Sequence, residues 1–360
     1  MADTPPTLQT ILAEIAPSDP RILKQAQDHS AQLVMPPRAL GRLHDIGEKV
    51  CAIQGSLTPS LEQKAVLIMA GDHGVAAAGV SAYPQEVTGA MVQTFLAGGA
   101  GINAIARQVG AVVTVVDMGI IPELDPAQLP NGQALRVAKI GPGTADFTKG
   151  PAMTRDQAEA AILAGYRHAL ELIDQGVQML GTGDMGIGNT TPSTAIGSVL
   201  TGKTPRAMVG PGTGLAEERI AAKCNLVEQG IRVNQPNAQD GLDVLAKVGG
   251  FEIGGIAGII LAAAHRRCVV VIDGFISTAG ALIAHALCPA ALEYAFAGHR
   301  SQEPGHRHML AHLNLNPILD LDMRLGEGTG AALAMPVIQS AVRVMNEVMT
   351  FAQAGVADKT

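Results

Sequence analysis

Apolar positions in the first sixty residues recur at helical intervals. Leu8, Ile11, Leu12 and Ile15 share one face, and Pro17 and Pro20 end that segment. The pattern then changes to short apolar runs that end in Gly or Asp. These are Ala65-Val-Leu-Ile-Met-Ala-Gly-Asp72, Val112-Val-Thr-Val-Val-Asp117, Val177-Gln-Met-Leu-Gly181 and Cys268-Val-Val-Val-Ile-Asp273. Glu293-Tyr-Ala-Phe-Ala-Gly298 and Ala207-Met-Val are weaker strand candidates. Residues 157–174 and 219–233 separate the runs with helical spacing. Continuous apolar strands alternating with helices predict a parallel sheet covered on both faces. The polar end of each strand then lies at the carboxyl edge, where such sheets bind ligands. From about Pro317 the chain reads as helical again, with a long apolar segment over 331–352. The expectation is an α/β domain over 61–315, flanked by a small helical domain formed by both termini, 1–60 plus 316–360.

Composition narrows the function. The chain has 360 residues, 47% of them hydrophobic, with 42 Gly, six Phe, three Tyr and no Trp. A net charge of −7 without basic runs argues against a nucleic-acid partner, which needs clustered cations and stacking rings. The scarcity of aromatics provides no membrane-interface belt, and the longest apolar run, near 256–264, is too short to span a bilayer. Cys51, Cys224, Cys268 and Cys288 are far apart, which reads as buried thiols without a disulfide frame or zinc site. The N-terminus has no basic stretch followed by an apolar one, so it is not read as a secretory signal, and a cytoplasmic location is expected.

The strongest local motif is Gly181-Thr-Gly-Asp-Met-Gly-Ile-Gly-Asn-Thr-Thr-Pro192. Gly181, Gly183 and Gly186 fit G-x-G-x-x-G after a strand, a pattern that lets backbone approach a phosphate. Asp184 lies inside it, and Asn189 and Thr190 add hydrogen-bonding groups suited to ribose or phosphate. A dinucleotide site also needs an acid about twenty positions on, and no Asp or Glu occurs between Asp184 and Glu217. A phosphate-bearing ligand therefore fits better than NAD. A second glycine loop, Gly210-Pro-Gly-Thr-Gly214, contains Gly210 and Gly212 and precedes Lys223, which reads either as a phosphate counter-charge or as a solvated lysine. A third, Arg324-Leu-Gly-Glu-Gly-Thr-Gly330, sets Glu327 between Gly326 and Gly328 at a helix entrance. A helix start keeps a carboxylate ionised and an apolar pocket raises its pKa, so Glu327 reads either as a dipole partner or as a general base. His73 reads as a buried, bonded histidine, and His306, His308 and His312, without acid or Cys partners, as mostly exposed.

These motifs occur in a fixed order with Pro36-Pro37, Leu40-Gly41-Arg42-Leu43, Gly71-Asp72-His73-Gly74-Val75, Asn234-Gln-Pro-Asn237, Asp240-Gly241, Lys247-Val-Gly-Gly-Phe251 and Asp273-Gly274-Phe275. Together they resemble the nicotinate-nucleotide–dimethylbenzimidazole phosphoribosyltransferases over nearly the whole chain. The resemblance implies a Rossmann-like parallel sheet domain with a small helical domain from both termini, assembled as a homodimer. It implies transfer of phosphoribose from nicotinate mononucleotide to a benzimidazole-type base, giving α-ribazole phosphate and nicotinate in cobalamin biosynthesis, with no cofactor and no metal. Glu327 matches the family's catalytic glutamate. The two earlier glycine loops, with Lys223, would hold the ribosyl phosphate.

Departures from the family pattern bear on the base. Pro36-Pro-Arg-Ala-Leu-Gly41 replaces Pro-Pro-Gly-Ser-Leu-Gly, Tyr83 and Met91 stand where some members have Ser and Gln, and Asp184 where some have Glu. Tyr83, Met91, Met323 and Leu325 are the expected base contacts, and methionine adapts readily to a flat apolar ring. Two alternatives stand beside this reading: a dinucleotide-binding oxidoreductase, and a nucleotide-binding module without turnover.

Overall fold

A computed structural model describes residues 6–357 apart from Pro130 and Thr213, with the side chains of Gln133 and Glu217 also outside the described set. The aliphatic runs become β1 (Lys64–Gly71), β2 (Ala111–Gly119), β4 (Met179–Met185), β5 (Val269–Ile272) and β6 (Ala295–Ala297), joined by an edge strand, β3 (Leu135–Val137). The strands form one sheet in the order β3-β2-β1-β4-β5-β6, and every pairing is parallel. This is the doubly wound order of the Rossmann fold, whose ligands bind outside the carboxyl ends of the strands. β1 is buried at all eight positions, as a central strand covered on both faces must be.

The covering helices account for some of the glycines. The Phe251–His265 helix is buried through its first fourteen residues and crosses the Arg155–Asp174 helix closely. At the crossing, Gly165 faces the backbone of Gly255, and Gly258 that of Ile162, so a Cβ at either would collide. These glycines serve helix packing and have no part in ligand binding.

The two ends of the chain meet. The Arg42–Gln54 helix packs on the Thr329–Glu347 helix, where Gly47 faces Met345 and Ala341. Leu33 pairs with Thr350 in an antiparallel bridge, flanked by Val34 N–H donating to Met349 O (2.9 Å) and Phe351 N–H to Gln32 O (2.9 Å). Arg38, where the family pattern has glycine, is left-handed at φ +56° and reaches Asp45 and Glu48. Among the described residues no helix is long and apolar enough to cross a membrane, and all four cysteines are buried and free.

Several expectations need correction. β4 runs through Met185, so Gly181 and Gly183 lie inside a strand, and the turn starts only at Gly186. Ala207-Met-Val is no strand: Pro205–Met208 is a short helix. The chain after Pro317 does not become helical until Thr329. His306 is fully buried, with its rings' nitrogens meeting Ser301 N–H (2.8 Å) and Thr278 Oγ1 (2.9 Å), whereas His308 is half-buried and His312 exposed.

Candidate active site

A cavity of about 360 Å³ opens at the carboxyl ends of β4, β5 and β6. Glu327 lies in its wall, in a loop held by backbone conformation. Gly326, Glu327 and Gly328 are all left-handed, at φ +86°, +61° and +87°. Such a conformation costs a non-glycine residue roughly 1–2 kcal/mol, so the surroundings must enforce it. Asp273, buried after β5, does so. Its Oδ1 accepts the N–H groups of Gly330 (2.7 Å) and Ala331 (3.0 Å), and its Oδ2 that of Gly328 (3.2 Å). The acid thus satisfies the first free N–H groups of the Thr329–Glu347 helix and pins the loop before it. Gly183 completes the seat, because a Cβ there would lie 2.7 Å from Glu327 O.

The Glu327 carboxylate does not cap its own helix. Its Oε2 accepts the Ile102 N–H at 3.0 Å, at the start of the Gly101–Val109 helix. Burial raises its pKa above the ordinary glutamate value; the Ile102 N–H opposes that rise and nearby Asp273 adds to it. Asp184, on β4, is more extreme. It is buried, its Oδ2 accepts from Asn189 Nδ2 (2.9 Å), and its Oδ1 has no partner among the described residues. Burial first, and then the neighbouring Asp273, push its pKa well up, so it is neutral over a wider range than a free aspartate.

A cation lies behind the cavity wall at Thr190. Lys223 is 1% exposed, and its Nζ donates to Thr190 Oγ1 (2.7 Å) at the start of the Thr190–Thr201 helix and to Gly210 O (3.4 Å). Burial brings its pKa down to about 8, against the pull of Glu303. Glu303 lines the cavity, and its Oε1 accepts the Gly212 N–H at 2.8 Å. Lysine, threonine hydroxyl and the amide-rich helix start together suit a phosphate. Thr213, in the same loop, lies outside the described residues.

The expected residues divide between the cavity wall and its support. Asp184, Gly186, Asn189, Thr190, Gly212, Gly326, Glu327, Tyr83, Met91 and Leu325 line the cavity. Gly181 packs under Met335 and Val66, Gly183 under the Glu327 loop, Gly328 against Val66 and the β4 backbone, and Gly210 against Glu303, all behind the wall. Lys223 reaches the wall through Thr190. Met323 is half-buried outside the cavity, where its carbonyl accepts the Gln302 N–H (3.0 Å). His73 is buried beside Glu252 (2.9 Å) and does not line it. Sequence reasoning missed His299, Ser301 and Glu303, which come from an irregular segment after β6, and Val87 and Ile276. The polar cluster Ser301–Glu303 before a helix was the one available signal. Among the described residues no group of three His, Cys, Asp or Glu is placed to hold a metal ion.

The dinucleotide alternative meets a topological obstacle. In this strand order the G-x-G-x-x-G fingerprint follows β1, but β1 is followed by Asp72-His73-Gly74, and the glycine run belongs to β4. A doubly wound sheet whose carboxyl edge joins an acid, an apolar wall and a buried lysine defines a nucleotide-handling transferase class, and residues 15–356 match the family model described as phosphoribosyltransferase. The nicotinate-nucleotide–dimethylbenzimidazole phosphoribosyltransferase of Chloroflexus aggregans is 50% identical over 352 residues, 98% of each chain, and that of Geotalea uraniireducens 50% over 351 residues, again 98% of each. The crystal structure of the Thermus thermophilus enzyme of that name superposes with a TM-score of 0.89 at 45% identity, covering 95% of this chain and 100% of that one. The chain belongs to the nicotinate-nucleotide–dimethylbenzimidazole phosphoribosyltransferase family.

Proposed function

We propose that the chain transfers the phosphoribosyl group of nicotinate mononucleotide to dimethylbenzimidazole or a related base, releasing nicotinate and α-ribazole phosphate for cobalamin biosynthesis. The observation that carries this reading is the polarity of one cavity. A raised-pKa carboxylate and an apolar wall of Tyr83, Val87, Met91 and Leu325 stand at one end, and Thr190, backed by the buried Lys223, stands at the other.

The chemistry follows from these positions. The free ring nitrogen of the base attacks the anomeric carbon, opposite the nicotinate. The C–N bond to nicotinate breaks, and its electron pair neutralises the cationic pyridinium nitrogen, so the leaving group needs no proton. The base's other ring nitrogen becomes acidic as the new bond forms, and Glu327 takes its proton. Attack from the opposite face converts β to α configuration. Lys223 and Thr190 hold the phosphate, and Asn189 orients the sugar. Fixing both reactants in one cavity supplies much of the rate, since positioning alone is worth up to about 7–11 kcal/mol. Asp184, whose burial keeps it protonated over a wider range than a free aspartate, offers a hydrogen bond in that form, and its short side chain leaves more room than a glutamate.

We further propose that the enzyme works as a cytoplasmic homodimer, with the segments 1–60 and 316–360 acting as one helical unit beside the 61–315 catalytic domain. The direct test incubates the protein with nicotinate mononucleotide, with and without dimethylbenzimidazole, and follows free nicotinate. Base-dependent release supports the reading, and its absence at every pH tested removes it.

A further inference from the structure

The Glu327 carboxylate is fixed from outside its own loop. Oε2 accepts the Ile102 N–H at 3.0 Å, while Oε1 accepts no hydrogen bond among the described residues. Ile102 is the second residue of the Gly101–Val109 helix, where N–H groups have no partner within the helix. This helix start is anchored independently. Asn103 Oδ1 accepts the Ala100 N–H (3.0 Å), and Asn103 Nδ2 donates to Phe95 O (3.0 Å). Gly101 makes the approach possible: a Cβ there would lie 3.3 Å from Glu327 Oε2 and 3.1 Å from Leu325 Cδ2, both tighter than ordinary contact.

We propose that the first turn of this helix, through the Ile102 N–H and the bare Cα of Gly101, is the positioning element for Glu327, engaging one carboxylate oxygen so that the other meets the proton of the incoming base. The proposal rests on Glu327 acting as that base. A Cβ at Gly101 would also crowd Leu325, so the same turn borders the apolar wall that holds the ring.

The charged and titratable groups around Glu327 are Asp273 after β5, Asp184 on β4, His299 after β6, and Arg324 in its own loop. Asp273 disfavours ionisation of Glu327, and the Ile102 N–H favours it. Deleting the N–H therefore raises the pKa. A base must be ionised to act, so the acidic limb of the kcat–pH profile moves to higher pH.

Ile102→Pro removes the N–H, and proline is tolerated in the first helical turn. Ile102→Val shortens the side chain but keeps the donor. The expected result for Ile102→Pro is a kcat reduced about 10–100-fold, the range of one hydrogen bond to a charged group, with the acidic limb displaced upward. Ile102→Val keeps the wild-type limb. A purely structural role would lower the folded fraction of both variants and leave the limb in place, and an unmoved limb in folded Ile102→Pro overturns the proposal. If Ile102→Pro does not fold, Gly101→Ala decides: it keeps the N–H but crowds Oε2 and Leu325, and must lower kcat and move the limb the same way. A Gly101→Ala profile matching wild type overturns the proposal equally. Glu327→Gln separates the two readings. Full turnover in that variant defeats the base assignment itself, whereas a dead Glu327→Gln with an unmoved Ile102→Pro limb defeats only the positioning role.

Discussion

The two ends of the cavity are built differently. At the phosphate end the charged groups are buried and tied to their neighbours: Lys223, 1% exposed, holds Thr190 and Gly210, and Glu303, 5% exposed, holds the Gly212 amide through one carboxylate oxygen. At the base end Tyr83 is 55% and Leu325 60% exposed, and Val87 and Met91 are half-buried. A bonded, dry site fixes one ligand geometry, because each group left unpaired costs about 1–3 kcal/mol. An apolar site of flexible side chains discriminates weakly, since a methylene is worth only about 1–3 kcal/mol. The contrast assigns strict recognition to the sugar phosphate and tolerant recognition to the base, with Glu327 beside the base.

The largest effect belongs to Glu327. Glu327→Gln is expected to lower kcat by about 10²–10⁴-fold, the range of one general base, while calorimetry still detects base binding. Next is the phosphate end, where Lys223→Met should raise the KM for nicotinate mononucleotide by about 10–100-fold and change kcat far less. If its loss lowers kcat alone, the lysine is not a binding group and the contrast fails.

Two pH effects sharpen the same comparison. Burial raises the pKa of Glu327, so kcat falls as pH drops through that raised value and the carboxylate gains its proton. Lys223 loses its proton near its depressed value of about 8, so the KM for the mononucleotide rises above that pH and is flat below it. Lys223→Met must abolish the alkaline dependence and leave the acidic one. The smallest effects belong to the base end. Tyr83→Ala and Met91→Ala should each change the preference between dimethylbenzimidazole and unsubstituted benzimidazole by less than about tenfold, measured as a ratio of kcat/KM values.

The sheet was legible because aliphatic runs such as 65–70 and 269–272 can be buried only between two helical layers. Its edge was not: Leu135–Val137 is three residues long and carries no periodicity. Glu327 stood out through its flanking glycines, and the structure gives the reason, three successive left-handed residues. Gly181 and Gly183 matched a phosphate motif in spacing, yet spacing cannot distinguish a glycine in a turn from one in a strand that a neighbouring loop must cross. Lys223 left its environment undecided, since burial depends on Thr190 and Glu303, which are remote in sequence. Glu303 and His299 were silent for the same reason: they reach the cavity through tertiary packing of an irregular segment.

The central claim is that one cavity brings an ionisable acid, an apolar base site and a phosphate site to a single anomeric carbon. Nuclear magnetic resonance of the products from nicotinate mononucleotide and dimethylbenzimidazole tests it most directly. The account predicts free nicotinate and a riboside phosphate in equal amounts, the latter wholly in the α configuration; a β product, or nicotinate released without any riboside, would contradict it.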